Sequence, residues 1–146
     1  MADERPIYVP NVNPAGIPSP SRDIYPAMGR DNIYRMIEDF YRELGASPIS
    51  AMFPKDLQKA AQKSAAFFVQ LLGGPQEYSE LRGPPRMRAR HLPFRITPEA
   101  RDEWLLCFER VLAKATTDYG FPAQHLEGFR NFLRGFSMWM VNTASG

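Results

Sequence analysis

The 146-residue sequence predicts an all-α domain behind a proline-rich arm, and three observations carry that prediction. Apolar residues recur at steps of three and four in four separate stretches, the pattern of helices with one buried face. No stretch alternates apolar and polar residues with the period of two that a half-buried strand requires, and there is no internal repeat. Glycines and prolines stand between the helical stretches, where helix breakers belong. The length suits one hydrophobic core that buries roughly 70% of the surface of the unfolded chain. A composition 44% hydrophobic and 23% charged is that of a globular protein.

Residues 1–29 form the arm. Pro6, Pro10, Pro14, Pro18, Pro20 and Pro26 fall there, out of fourteen prolines in all. Each fixes its own φ and pushes its predecessor out of the helical region, so the arm is expected to be extended or turn-like. Ile7, Tyr8, Val9, Ile24 and Tyr25 could pin it to the domain; otherwise it trails as a tail. The domain proper runs from residue 30 to residue 146. Its first stripe is Ile33, Met36, Ile37, Phe40, Tyr41 and Leu44, with Asp31 or Asn32 as the expected cap and Gly45 at the end. Asp56 opens a second helix with the stripe Leu57, Ala60, Ala61, Ser64, Phe68 and Leu71, stopped by Gly73-Gly74-Pro75. Residues 75–85 read as loop, and a short segment from Pro85 to Leu92 is cut off by Pro93. Thr97-Pro98-Glu99 starts a third long helix, with a capping hydroxyl, a proline at the first position and an acid near the positive end. It presents Trp104, Phe108, Val111, Leu112 and Ala115 on one face. The last helix begins near Pro122 and buries Leu126, Phe129, Leu133, Phe136 and Met140.

Composition excludes several classes of function. Cys107 is the one cysteine, so no intrachain disulfide forms. Two histidines, His91 and His125, are too few for an all-protein zinc site. Eighteen basic against sixteen acidic residues give no overall field that attracts nucleic acid. The arm lacks the basic start and apolar stretch of a secretory signal, and the longest mostly apolar run, Ala65 to Leu72, is too short to span a bilayer. A cytoplasmic protein is expected, with neither nucleic acid nor membrane as partner.

Four features carry chemistry. His91 closes a short segment just before a proline, a position ordinarily held by a surface or capping residue. Arg82, Arg86, Arg88, Arg90 and Arg95 form a run without an acid between Leu81 and Pro98, either a solvated face or a holder of carboxylate or phosphate. Tyr41, Ser64 and Trp104 each place one polar group on an apolar stripe, where it costs stability unless it finds a partner. Ser64 could satisfy itself on the carbonyl of Ala60. Finally, Phe40, Phe67, Phe68, Phe94, Phe108 and Phe136 supply more aromatic bulk than a four-helix core of this size needs.

In order along the chain, these features resemble the group II truncated haemoglobins. The resemblance is carried by Phe40-Tyr41, by Phe53-Pro54-x-Asp56-Leu57, and by Gly73-Gly74-Pro75-x-x-Tyr78-Ser79. It continues through Arg82-Gly83-x-Pro85-Arg86-x-Arg88-x-Arg90-His91-x-Pro93-Phe94 to Arg101-Asp102-x-Trp104-Leu105, and covers about residues 31 to 142. It implies a two-on-two helical sandwich around haem b, with His91 as the proximal ligand to iron. Tyr41 and Trp104 resemble the distal residues that face the bound ligand, Phe53 the corner position against the haem, and Ala60 the distal position nearest the ligand. Lys63 and Arg90 resemble residues that pair with the propionates, with Tyr78 beside them. Leu57, Phe67, Phe68, Met87, Phe94, Ile96 and Phe108 would wall the porphyrin. His125 matches nothing functional and reads as a surface residue.

Two departures shape the expected chemistry. Many members carry tyrosine or histidine where this chain has Phe53, so one distal donor is absent. Ser64 stands where the family usually presents an apolar side chain, so a hydroxyl is added. The resemblance thus implies binding of dioxygen and other diatomic ligands, with slow release under the donors Tyr41, Trp104 and Ser64. Dioxygen transport, sensing, or a redox activity of peroxidase-like or nitric-oxide-consuming kind would use the same pocket, the last with a reductase as partner. A nucleic-acid module built on the arginine run is the weakest alternative. Monomer and homodimer are both compatible with the sequence.

Overall fold

The computed structural model describes residues 6–145; the first five residues of the arm and Gly146 lie outside the described residues. Among these it is all-helical: α1 (Ile24–Met28), α2 (Arg30–Gly45), α3 (Leu57–Leu71), α4 (Glu77–Arg82), α5 (Met87–His91), α6 (Pro98–Leu112), α7 (Ala115–Tyr119) and α8 (Leu126–Met140). Three single 3-10 turns, at Pro14–Gly16, Ser50–Met52 and Ala123–His125, join them. Helix α2 packs on α3 and α6, α6 packs on α8, and α4 leans on α3. These are the two helix pairs of a two-on-two sandwich.

The core lies where the stripes meet. Ile33, Met36, Ile37, Phe40 and Leu44 of α2, Ala65, Phe68 and Val69 of α3, and Cys107, Phe108 and Leu112 of α6 are buried together with Phe129 and Leu133 of α8. Phe108 is its hub: its ring stacks on Phe40 at 4.1 Å and meets Trp104, Phe68 and Phe129 edge-on at 5.4–5.7 Å. Such aromatic contacts contribute beyond the area they bury. Leu126 and Phe136, expected in the core from the α8 stripe, are only half-buried.

The helix starts follow side-chain chemistry at two of the expected places. Asp56 accepts from the Lys59 amide at 3.1 Å and Thr97 Oγ1 from the Ala100 amide at 3.1 Å, each filling one of the open donors of a helix N-terminus. At α2 the expectation fails. The cap is Gly29, at φ +80°, and neither Asp31 nor Asn32 caps the helix. Helix α1 runs into α2 with Gly29 alone between them, so α2 starts earlier than its stripe suggests, and Asn32 donates instead to the Met28 carbonyl at 3.1 Å. The segment read as loop over 75–85 contains α4. Its six residues are too few to show a period, and long-range contacts hold it. Gln70 donates to Ser79 Oγ at 2.8 Å and accepts from its amide at 2.9 Å, while Arg30 pairs with Glu77 at 2.8 Å. Ala115, expected on the α6 face, is fully buried but opens α7.

Among its described residues the arm has no long helix, and contacts hold it near Tyr8, Ile17 and Tyr25. The Tyr8 amide donates to the Asn142 carbonyl at 2.9 Å, Ile17 packs over Gly135, and the Tyr25 amide donates to the Leu72 carbonyl at 2.9 Å. At Gly73, φ +109°, a Cβ would stand 1.9 Å from the Arg22 carbonyl oxygen, so no other residue fits that crossing. Ile7, Tyr8 and Val9 are nonetheless exposed, whereas Ile24 is buried in the core.

Candidate functional site

Between the helix pairs and α5 lies a cavity of about 550 Å³, mostly apolar in its lining. That volume is in the range of a site for one small organic ligand, roughly 300–1,000 Å³. Helices α2, α3 and α6 supply Tyr41, Ala60, Lys63, Ser64, Phe67, Phe68 and Trp104 to it. The turn after α2 supplies Phe53, and α4, α5 and the following turn supply Tyr78, Met87, Arg90, His91, Phe94 and Ile96. Fourteen of the sixteen residues singled out in the sequence thus line one space. Leu57 and Phe108 do not. Leu57 turns to Gly45, whose Cβ would stand 2.7 Å from a Leu57 methyl, and Phe108 backs the wall from the core.

His91 is placed by α5, a single helical turn with no buried residue. Arg86 enters it in the left-handed region at φ 40°, a conformation that costs energy for a non-glycine residue. The His91 Nδ1 lies 2.5 Å from the Met87 carbonyl and donates to it, which leaves Nε2 with a free lone pair. Burial lowers the imidazole pKa below its ordinary 6.5, partly opposed by that backbone bond, so the ring is neutral at pH 7. A neutral, oriented imidazole is the form in which histidine ligates metals.

A second set of polar groups faces the cavity from α2, α3 and α6. Burial raises the Tyr41 phenol above its ordinary 10, while a side-chain hydrogen bond with Ser64 acts in the opposite sense. The phenol is therefore protonated and able to donate. Ser64 thus reaches across from α3 to Tyr41 of α2. Tyr41 and Trp104 are half-buried and are oriented by aromatic edges: Phe40 meets Tyr41 at 5.6 Å and Trp104 at 5.3 Å, and Phe53 meets Tyr41 at 6.0 Å.

Cations gather on the lining as well. Lys59, Lys63, Arg82, Arg90 and Arg101 are present with one acid, Asp56, which caps α3. Arg90 donates to the carbonyls of Pro85 (2.6 Å), Arg82 (2.6 Å) and Pro84 (3.0 Å), and its guanidinium lies 5.4 Å from the centre of the Tyr78 ring. Arg88 faces away from the cavity to the carbonyls of Trp139, Val141 and Tyr8. The arginine run is thus neither one solvated face nor one anion cradle. His125 is half-buried, 3.4 Å from the Ser21 hydroxyl of the arm, outside the cavity.

Sequence reasoning missed several lining residues. Ile49, Met52 and Pro54 come from the turn after α2, where no periodicity exists to read. Phe136 and Met140 lie on the α8 stripe and were read as core. Arg101 donates to Ser137 Oγ at 3.0 Å and to the Arg134 carbonyl at 2.9 Å, and both Arg101 and Ser137 line the cavity. Its signal was present: a charged residue three positions before Trp104, four after the Thr97 cap.

A two-on-two helical sandwich closed around one large apolar cavity, with a single histidine in its wall, defines a globin. The bacterial-like globin model matches residues 23–142, and the chain belongs to that family, which implies haem-based oxygen binding. It is 42% identical to the group 2 truncated hemoglobin YjbI of Bacillus subtilis over 89 residues, 60% of this chain and 67% of that protein. The crystal structure of phosphate-bound Hell's gate globin IV superposes with a TM-score of 0.80 at 33% identity, over 100% of this chain and 88% of that one. The group II truncated hemoglobin from Bacillus anthracis superposes with a TM-score of 0.75 at 37% identity, over 84% and 92%. No helix of the described residues is long and apolar enough to cross a membrane.

Proposed function

We propose that this chain holds haem b on His91 and binds dioxygen and other diatomic ligands beside Tyr41, Trp104 and Ser64, releasing dioxygen slowly. The observation that carries this reading is the His91 ring, held by its Nδ1 bond to the Met87 carbonyl and lining the same cavity as Tyr41 and Trp104. The residues present fit the cofactor. The lining is apolar and edged by Lys59, Lys63 and Arg82, suited to two propionates. Among the described residues no group of three or more His, Cys, Asp or Glu could hold a metal alone. When bound, the haem supplies an iron with one open coordination position.

The chain's own residues set what happens there. A protonated Tyr41 phenol and the Trp104 indole N–H are donors on the cavity lining, and a diatomic ligand carrying partial negative charge would accept from them. Each such bond contributes about 1–2 kcal/mol, roughly a tenfold slowing of release. Slow release suits a sensor, a scavenger or a redox catalyst better than a carrier. The described lining contains no histidine besides His91, and its one carboxylate is committed to the α3 cap. A general base of the kind that peroxide cleavage uses is therefore not in place, which favours binding over turnover.

The test is optical. The purified protein should show a strong Soret band, and His91→Ala should strongly weaken haem retention; an unshifted band at full occupancy in that variant overturns the assignment of His91.

A further inference from the structure

The helix that carries His91 is one turn long and buries none of its residues, so it cannot hold its own position. Polar tethers hold it instead: Arg88 and Arg90 bond to carbonyls from within the helix, and one residue far along the chain holds its C-terminal end and the turn that follows. Asn142, just beyond α8, is 1% exposed, and its side chain uses its full hydrogen-bonding capacity. Its Nδ2 donates to the His91 carbonyl at 3.1 Å and to the Phe94 carbonyl at 2.9 Å. Its Oδ1 accepts from the Ile96 amide at 3.0 Å and from the Thr143 hydroxyl at 2.9 Å. Its own amide donates to the Ile96 carbonyl at 3.0 Å, and its carbonyl accepts from the Tyr8 amide of the arm at 2.9 Å. Residues 91, 94 and 96 span the turn at Pro93 where α5 ends, so one side chain ties that turn to the C-terminal end of α8 at three points.

We propose that Asn142 is the positioning residue for His91: it fixes the backbone from which the imidazole is aimed into the cavity, with the arm at Tyr8 as the outer layer of the same clasp. This rests on the reading of His91 as the iron ligand. Partners one step removed from a metal set ligand orientation, and their loss typically costs 10–100-fold in metal affinity. The Met87 carbonyl orients the ring within α5; Asn142 orients α5 itself.

The experiment uses the haem-loaded full chain and reads the iron–histidine stretching band of the ferrous protein by resonance Raman spectroscopy, together with the rate of haem transfer to an acceptor globin. Asn142→Asp keeps the volume and the bonds accepted at Oδ1, but places a carboxylate oxygen against the His91 and Phe94 carbonyls. It should shift or broaden the band and speed haem loss roughly tenfold or more. Leu133→Ala is the control, because it loosens the buried face of α8 without touching a bond to α5 or to the turn after it. It should lower the melting temperature and leave the band in place. A band unmoved in Asn142→Asp, or moved equally by Leu133→Ala, overturns the inference alone. A wild-type spectrum without the band overturns the His91 assignment and the inference with it.

Discussion

The cavity has two kinds of wall. The α2–α3–α6 wall rests on the aromatic core, with Phe40 and Phe108 buried behind Tyr41 and Trp104. The α5 wall buries none of its own residues fully, Met87 packs against the core only in part, and Arg90, Arg88 and Asn142 hold this wall by bonding to main-chain carbonyls. Apolar packing is non-directional and large in sum, so the first wall shares the stability of the whole fold. Hydrogen bonds are directional and individually modest, so the second is positioned accurately but opens at lower cost. On the function proposed above, the donors Tyr41 and Trp104 sit on the stiff wall and His91 on the wall set by directional bonds.

The largest effect expected is on the packed wall. Phe108→Ala should cost about 3–5 kcal/mol, because the cavity it leaves touches four other rings, and should lower the melting temperature by roughly 10 °C. Far-UV circular dichroism during heating measures it. A loss below about 1 kcal/mol would mean that the core collapses into the gap and that the two walls differ less than their packing indicates. On the tethered wall, Arg90→Met removes three bonds to carbonyls at the α4–α5 corner and should cost only about 1–2 kcal/mol globally. Amide hydrogen exchange should locate that loss: amides of 87–91 should exchange faster in the variant, with those of α2 and α6 unchanged. Uniform acceleration across all helices would remove the distinction between the walls.

Tyr41→Phe probes the donors that the packed wall holds. It deletes one hydroxyl without changing the ring, so stability should barely move while dioxygen release accelerates roughly tenfold. Stopped-flow displacement of dioxygen by carbon monoxide measures it. An unchanged rate would transfer the role to Trp104 or Ser64.

The difference between the walls also explains what was legible in the sequence. The packed wall is written as period: Ile33 through Leu44 and Trp104 through Leu112 repeat at helical steps, and the cap residues Asp56 and Thr97 announce the starts of their helices. The tethered wall has no period to write. Helix α4 was read as loop because its six residues are held by Gln70 and Arg30 from other elements. Residues Arg88 and Arg90 read as one basic run although they turn opposite ways, since the direction of a side chain depends on carbonyls that no local pattern encodes. Asn142 carried no signal at all. The prominence of His91 came from the surrounding motif and its likeness to a family, because a lone histidine before a proline predicts little. Phe108 was expected to line the cavity and is fully buried in the core behind it, since a stripe gives the inward face of a helix without its depth.

The smallest effect expected tests whether a tether's charge matters or only its shape, and Glu77 is the place to ask. Burial alone would raise its carboxyl; hydrogen bonds from Arg30 and Tyr34 outweigh that and hold it below the ordinary 4.5. Tyr34 is itself pushed up to about 12, by burial first and then by Glu77, so it stays a donor throughout the acid range. A carboxyl with a lowered folded-state pKa favours folding while it is ionised. Its contribution is therefore complete above the unfolded-state value and disappears as pH falls through the folded-state value. Arg30 is half-exposed, so solvent and salt weaken the pair, and Glu77→Gln should cost no more than about 1 kcal/mol at pH 7. Urea unfolding of both proteins should show that gap at neutral pH, and the two stability curves should converge as pH falls through the lowered folded-state value and the carboxyl protonates. A gap that keeps its size at low pH would mean that Glu77 holds α4 to α2 by packing, which would make α4 part of the stiff wall.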